Sequence, residues 1–421
     1  MKIAKIVLLI LVLLTAAYFV FAGRLVGAYL EPVLEKKLTE IFGLEVEIKD
    51  LKAHPFPGFA SATHMVFHNR PQFDTRPHFD IPGISFDIRY PDLLDKHVNI
   101  GHAVFKRPVY LIETVSTPDG SLNNITDWVR HIDAWNGEDD EPAAGEGQPA
   151  SSAAPPPKRW QVDIRKIELR DGTLIISDRS GKGAARNFVF KRIDGALTGF
   201  RWPAGNPPRL DQRVALRGVC GEKVRAPFWA GGKANFATGN VSFDLRGDIH
   251  NGSLQDYSFL WEGLPVEIVD GRFDLKAHVV CNMRKLESQN VLVMKDLKIR
   301  PVSGPVQMIW GIPFQGWLAF LQNQKTLTLE IPVEGDITDP DFRFYKAFQD
   351  AFQDALQRYV LQGINLFTKT ASTAVKLAEG TPGVVFKTPA KVVEGLGKIT
   401  TAVTDNDLIA NLKPLKEGEK P

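Results

Sequence analysis

Two segments of the chain share one pattern, in which an alternation of apolar and polar residues is split by Asp-Gly. They are IELRDGTLIIS (167–177) and VEIVDGRFDLK (266–276). Alternation at period two places every second side chain on the same face of a β-sheet. Glycine readily adopts the positive φ of a tight turn, so Asp171-Gly172 and Asp270-Gly271 predict two β-hairpins. The repeat of this unit favours a long antiparallel β architecture.

Short alternating segments separated by Gly and Pro recur from Gly43 to about Ile112 and again from Trp160 to about Gly335. Helical periodicity is nearly absent from the second of these regions. The 26 phenylalanines among 421 residues indicate that the sheets carry a large apolar surface. We therefore expect a mainly β fold, built as a curved antiparallel sheet or β-groove.

The N-terminus predicts a transmembrane helix that anchors the protein. The run from Ile6 to Ala22 carries no charge and is preceded by Lys2 and Lys5. Its length approaches the roughly 20 residues that span a bilayer core. A cleaved signal peptide is the alternative, but the run is longer than a usual signal core. Lysines at the start favour a cytoplasmic N-terminus, so we expect a single-pass inner-membrane protein with its bulk in the periplasm.

Amphipathic helices are predicted on both sides of the β-rich body. The first follows the anchor and ends at Gly43. Its apolar face is predicted to consist of Val26, Leu30, Val33, Leu34, Leu38 and Ile41. The second carries an apolar stripe at Tyr345, Phe348, Phe352, Leu356 and Tyr359.

The chain accordingly divides into five parts. They are a transmembrane anchor at 1–23, a β-rich region with an entry helix at 24–135, a linker at 136–159, a second β-rich groove region at 160–340 and an amphipathic helix with a loose tail at 341–421. The linker is predicted to be disordered because it is rich in Pro, Ala, Gly and acidic residues and has no apolar periodicity.

A sheet with one apolar face must cover that face. A second sheet would give a plain sandwich, and the residues alone leave this alternative open. The other solution is a groove whose apolar face holds acyl chains. Because each buried methylene contributes about 0.8 kcal/mol, two sixteen-carbon tails amount to roughly 25 kcal/mol, which a groove beside a membrane anchor would retain during transit.

The candidate lipid-contacting residues are apolar residues at alternating positions of the strands. They are Ile167, Leu169, Leu174, Ile176, Phe243, Leu245, Phe273 and Leu275. Ordinary core packing is the alternative role for each of them.

The sequence nominates no catalytic, cofactor-binding or metal-ligating residue, so we expect a protein that is not an enzyme. It has no Gly-x-Ser-x-Gly, His-Glu-x-x-His or phosphate-loop motif. A net charge of +2 without a long basic patch gives no support for nucleic acid as a partner. Cys220 and Cys281 lack the spacing of a metal or redox motif, and they are either two buried thiols or one disulfide.

Several segments resemble the AsmA-like family in the order that the family shows. GLEVEIKDLKAHPFPGFASATHMVFHN (43–69) and PDLLDKHVNIGHAVFKRPVYLIETVSTPDGSLNN (91–124) are similar to its start. KIELRDGTLIISD and LPVEIVDGRFDLKAHVV resemble its periplasmic repeat, and LTLEIPVEGDITDPDFRF (327–344) resembles its C-terminal signature. The resemblance covers roughly residues 1–130 and 160–360.

The resemblance implies an inner-membrane protein of a Gram-negative bacterium with a periplasmic β-groove. It also implies kinship with repeating β-groove lipid-transfer proteins that act in outer-membrane lipid homeostasis. We therefore expect a phospholipid or another acyl lipid, together with the inner membrane, as partners. The alternative is a scaffold or assembly factor that recruits an envelope protein through the C-terminal helix.

Overall fold

The computed structural model describes residues 23–54, 58–117, 120–128, 131, 161–180, 185–202, 210–221, 224–235, 241–261, 266–301, 308–309, 312–313 and 326–336. The predicted anchor up to residue 22, the predicted linker at 136–159 and the predicted helix and tail at 341–421 lie outside the described residues. Within these residues, no helix combines the length and the apolar character needed to cross a bilayer.

The described chain is mainly β, as predicted. Its helices are α1 (Gly23–Phe42) and the 3-10 segments η1 (Tyr90–Asp95) and η2 (Leu254–Trp261). Its strands are β1 (Val46–Lys49), β2 (Lys52–His54), β3 (Phe59–Ala62), β4 (His64–Phe67), β5 (Phe79–Ile81), β6 (Gly83–Ile88), β7 (His97–Lys106), β8 (Val109–Thr117), β9 (Gly120–Asn123), β10 (Gln161–Arg179), β11 (Arg186–Trp202), β12 (Gln212–Cys220), β13 (Ala226–Asn235), β14 (Ser242–Ser253), β15 (Val266–Asn282), β16 (Lys285–Pro301), β17 (Met308–Ile309), β18 (Ile312–Pro313) and β19 (Thr326–Asp336). Seventeen of these described strands form one large, curved and unclosed sheet, while β17 and β18 pair separately.

The two β-rich regions predicted from the sequence share this sheet. β10 pairs in parallel with β7 over Gln161–Arg170 and then with β8 over Thr173–Arg179. Every other pairing in the sheet is antiparallel among the described strands. A parallel return requires a connection of a dozen or more residues, which residues 124–160 provide. The sheet is therefore antiparallel except at the junction of the two regions.

The predicted Asp-Gly hairpins are wrong. β10 continues through Asp171-Gly172 and β15 continues through Asp270-Gly271, and in both strands the register shifts at these residues. Asp171 has φ 54° and Gly271 has φ 147°, so the pair does supply positive φ. That conformation produces a β-bulge inside a long strand rather than a turn between two strands, because β11 and β16 pair with β10 and β15 on both sides of the irregularity.

Similar irregularities recur at one level of the sheet, which we call the bend line. Asp50, Arg107, Asp171, Arg192, Asn251 and Asp296 all have φ between 49° and 55° there. Arg107 and Asp171 lie side by side, because Lys106 pairs with Arg170 and Val109 with Thr173. On β12 the same level is occupied by Gly218, where an added Cβ would lie 2.8 Å from the carbonyl oxygen of Lys191. Bulges increase twist and bend the strand, so this line gives the sheet its curvature.

Helix α1 covers the first edge of the sheet. Three of its side chains, spaced four residues apart, accept hydrogen bonds from backbone N–H groups of that edge. Thr39 Oγ1 accepts from Val46 (3.2 Å), Glu35 Oε1 from Ile48 (2.7 Å) and Glu31 Oε2 from Leu51 (3.0 Å). An edge strand otherwise presents these groups for pairing with another chain. The helix thus seals one end of the ladder.

The predicted helix and its end at Gly43, with φ 63°, are confirmed, but its predicted apolar face is only partly correct. Leu30 and Leu38 pack against a buried cluster that includes Ile48 and Ile81. Val33 and Leu34, by contrast, are 47% and 38% exposed. The reason is that the contact surface also uses Gly23 and Gly27, which a search for apolar periodicity overlooks.

Candidate functional site

One face of the large sheet is apolar from β10 to β19, and we call it the apolar face. We assign the two faces from β12, because its register with β13 is uninterrupted and its residues therefore alternate regularly between the two faces. Val214, Leu216 and Cys220 share one side of β12, while Arg213 and Arg217 lie on the other. Neighbouring strands continue the same division, since directly paired residues point to the same face.

All eight candidate residues lie on this apolar face. Ile167 pairs with Leu197, which pairs with Val214, and Leu174 pairs with Phe190, which pairs with Cys220. Leu169 and Ile176 follow at period two. The bulge at Asp171 shifts the alternation by one residue. Ile167 and Leu169 before the bulge therefore share a face with Leu174 and Ile176 after it.

The candidate residues of β14 and β15 reach the same face through β13. Gly232 pairs both with Val214 and with Leu245. Phe243 lies two residues from Leu245 on one strand, and Leu275 lies opposite Ile249 on the other, with Phe273 two residues before it. The register therefore brings together side chains that are about a hundred residues apart in the chain.

The sheet bends towards its apolar face. The ring centroids of Phe188 on β11 and Phe273 on β15 each lie 5.5 Å from that of Tyr257. The two phenylalanine rings are therefore at most 2 × 5.5 = 11 Å apart. In a flat sheet, strands four positions apart are roughly 19 Å apart. The apolar face is therefore concave at this position.

Segment η2 covers the part of the apolar face that lies beyond the bend line. Tyr257 and Leu254 are 7% and 2% exposed. Asp256 Oδ2 accepts a hydrogen bond from the N–H of Val224 (3.2 Å), and Gln255 donates to the carbonyl of Val269 on β15. No apolar periodicity predicts this segment, although Leu254 and Tyr257 show the three-residue spacing of a 3-10 helix.

Coverage of the apolar face is uneven along the sheet. At β19 the residues Leu327, Leu329, Ile331 and Val333 are 4% exposed or less, as are Ile48 and Ile81 under α1 at the first edge of the sheet. Of the eight candidate residues, Phe273 is buried and the other seven are half-buried. The candidate functional site is this half-buried middle of the apolar face, from β10 to β15.

The opposite face of the sheet carries paired charges where β10 lies beside β7. Glu168 on β10 accepts hydrogen bonds from Arg170 (2.6 Å) and Lys166 (3.1 Å) and lies 2.9 Å from Nε2 of His102 on β7. Burial raises the pKa of the Glu168 carboxyl, but the hydrogen bonds from Arg170 and Lys166 outweigh this effect and lower the pKa to about 2. This part of the opposite face, from β7 to β10, is suited to water.

Two other buried titratable groups, Glu113 and His78, form contacts within the protein. Glu113 is fully buried and accepts hydrogen bonds from the N–H of Asp74 (2.6 Å) and from Arg179 (2.9 Å). His78 is buried beside Asn124, and burial lowers the pKa of its imidazole to about 4. No three His, Cys, Asp or Glu side chains of the described ranges are placed to hold a metal ion.

Cys220 and Cys281 are both free and buried, so the alternative of two thiols is the one that the structure contains. They lie on β12 and β15 on opposite sides of the bend line. Burial raises the pKa of both thiols.

No protein-family model, no curated protein and no solved structure matches this chain.

Proposed function

We propose that this protein binds or shuttles phospholipid on the concave apolar face of its sheet and thereby supports outer-membrane lipid homeostasis and envelope biogenesis. The observation that supports this proposal is the half-buried middle of the apolar face. Seven apolar candidate side chains there retain contact with solvent on one face of the curved sheet. Burial of apolar surface contributes about 25 cal/mol of favourable free energy per Å², so binding of an acyl chain to this surface would be favourable.

In this proposal the protein is an AsmA-like, non-enzymatic component of a Gram-negative envelope. Residues 1–23 anchor it in the inner membrane and the sheet lies in the periplasm. The uncharged run Ile6–Ala22 and the resemblance of 43–69, 91–124 and 327–344 to the AsmA-like family support this location. The charged opposite face is compatible with an aqueous compartment.

A matched pair of photo-crosslinking variants tests the lipid proposal. Phe243 lies on the apolar face of β14, and Trp229 lies on the opposite face of the neighbouring β13. We expect Phe243→p-benzoylphenylalanine to give phospholipid adducts in native membranes, identified by mass spectrometry, and Trp229→p-benzoylphenylalanine to give few. Equal labelling at the two positions, or none at Phe243, would contradict the proposal.

A second candidate function is a scaffold or assembly factor for envelope proteins, recruited through the C-terminal helix. The observation that favours it is the burial of the apolar face at β19, where Ile331 and Leu329 are each 1% exposed. In that case the apolar face serves as the protein's own core. Native mass spectrometry of the detergent-extracted protein separates the two, because a scaffold would be free of lipid and would retain a protein partner.

A further inference from the structure

A cavity lies away from the apolar face, between α1 and the junction of β1 with β2. Its volume is about 400 Å³ and it is lined by Arg24, Ala28, Glu31, Asp50, Leu51 and Lys52. The helix and the strand come close here because Gly27 faces the backbone of Leu51, where an added Cβ would lie 1.7 Å from the carbonyl oxygen. This backbone contact between Gly27 and Leu51 sets the distance between α1 and the strands that line the cavity.

The charges around this cavity are unequally satisfied. Glu31 Oε2 accepts the N–H of Leu51 (3.0 Å), and Asp50 Oδ2 accepts the hydroxyl of Thr63 (3.1 Å). The side chains of Arg24 and Lys52 have no hydrogen-bond or ion-pair partner within the described part of the chain. Two cations without a partner at one cavity suit an anion that accepts several hydrogen bonds, as a phosphate does.

An exposed apolar stripe runs along α1 beside the cavity. Leu25, Tyr29 and Val33 are 72%, 76% and 47% exposed and follow one another at four-residue spacing. Leu25 lies three residues before the cavity residue Ala28, a spacing at which side chains are neighbours on a helix, so the stripe begins beside the cavity. A ligand that fills both places carries a phosphate group and an apolar part.

In the sequence, the uncharged run Ile6–Ala22 directly precedes α1 and ends two residues before Arg24, so the site follows a segment whose composition suits lipid. We infer that this cavity is a headgroup site, in which Arg24 and Lys52 bind the phosphate of a glycerophospholipid while its acyl chains lie along the stripe of Leu25, Tyr29 and Val33. The inference deepens the proposed function and rests on it for the lipid part of the ligand.

The test is a binding titration of the full chain in a phosphate-free detergent, followed by ³¹P NMR. The probes are dihexanoylphosphatidylglycerol, inorganic phosphate and dihexanoylglycerol, the last followed through its effect on the protein. The double variant Arg24→Gln/Lys52→Gln removes both cations. The control is Lys49→Gln, because Lys49 lies three residues before Lys52, at the end of β1, but is paired with Glu47 at 3.0 Å.

We expect the double variant to bind dihexanoylphosphatidylglycerol at least about tenfold more weakly, because each charge-assisted hydrogen bond to phosphate contributes about a factor of ten. Lys49→Gln should bind the probe as the unaltered chain does, and dihexanoylglycerol should bind much more weakly. Hydrogen exchange over β1 verifies that α1 stays docked in the double variant.

Three results would overturn the inference. The first is unchanged phospholipid binding by the double variant, and the second is equal binding of dihexanoylglycerol. The third is inorganic phosphate binding as tightly as the phospholipid probe, which would make free phosphate the ligand. Because lipid crosslinking at Phe243 reports on the apolar face alone, loss of the headgroup site and loss of the proposed function are separately visible.

Discussion

Replacing Gly27 by alanine tests how α1 seals the first edge of the sheet. An alanine Cβ would lie 1.7 Å from the carbonyl oxygen and 2.6 Å from the carbonyl carbon of Leu51. Both atoms belong to the backbone and do not yield as a side chain would. The helix would therefore have to move outward by about 1.5–2 Å to restore an ordinary van der Waals contact.

The expected loss follows from the two carboxylates that this movement displaces. Glu31 and Glu35 accept hydrogen bonds from the edge strand at 3.0 Å and 2.7 Å, which the shift would stretch beyond hydrogen-bonding distance. Hydrogen bonds to charged groups contribute about 1.5–3 kcal/mol each, and the lower value applies because both carboxylates are half-buried. Alanine restores about 1 kcal/mol of helix propensity, so we expect Gly27→Ala to destabilise the protein by about 2 kcal/mol.

Two measurements together examine this reasoning. Equilibrium denaturation of the full chain in detergent gives the free energy of unfolding, and peptide-resolved hydrogen exchange reports the amides of Val46, Ile48 and Leu51. These amides should lose protection in Gly27→Ala. The control is Ala28→Gly on the exposed side of α1, which should cost about 1 kcal/mol through propensity and leave that exchange unchanged. A Gly27→Ala protein that is more stable, with normal exchange over β1, would refute the proposed packing.

Three further outcomes concern His78, Asp274 and the two cysteines. The folded pKa of His78 is about 4 and lies below its unfolded value near 6.5, so stability falls as pH drops from about 6.5 to about 4; His78→Gln should flatten urea midpoints measured across that range. Asp274 accepts the N–H of Asn251 at its bulge (2.8 Å), so Asp274→Ala should lower the free energy of unfolding by about 1–3 kcal/mol, whereas Asp274→Asn should lose less. Cys220 and Cys281 should react with a thiol reagent only after denaturation, and a disulfide-linked peptide in a non-reducing digest would contradict this.

The class of fold could be predicted from the sequence, while its connectivity could not. Alternation around Asp171 and Asp270 identified strands correctly, because side-chain period is a local property of an extended backbone. The same residues were misassigned as hairpin turns. Positive φ at Asp-Gly is common to a turn and to a bulge, and only the neighbouring strand decides between them.

The candidate residues were identified from alternation alone, and the register then brought them onto one face. Alternation does not specify which parts of that face are covered. Segment η2 packs Tyr257 against Phe188 and Phe273, a contact between three elements that no local pattern specifies. The cavity at Arg24 and Lys52 was overlooked for a similar reason, because its lining comes from a helix and a strand junction that meet at Gly27.

The sequence by itself determined that the described chain is mainly β, that a helix precedes the sheet and ends at Gly43, and that one set of strand side chains is apolar. These properties depend on neighbours within a few residues, where φ, ψ and side-chain period act. Only the tertiary structure decided that β10 returns in parallel beside β7, that the bulges align into one bend line and that the apolar face is concave. Such features arise from pairing between distant segments. The local sequence of a strand does not specify which other strand its backbone will hydrogen-bond to.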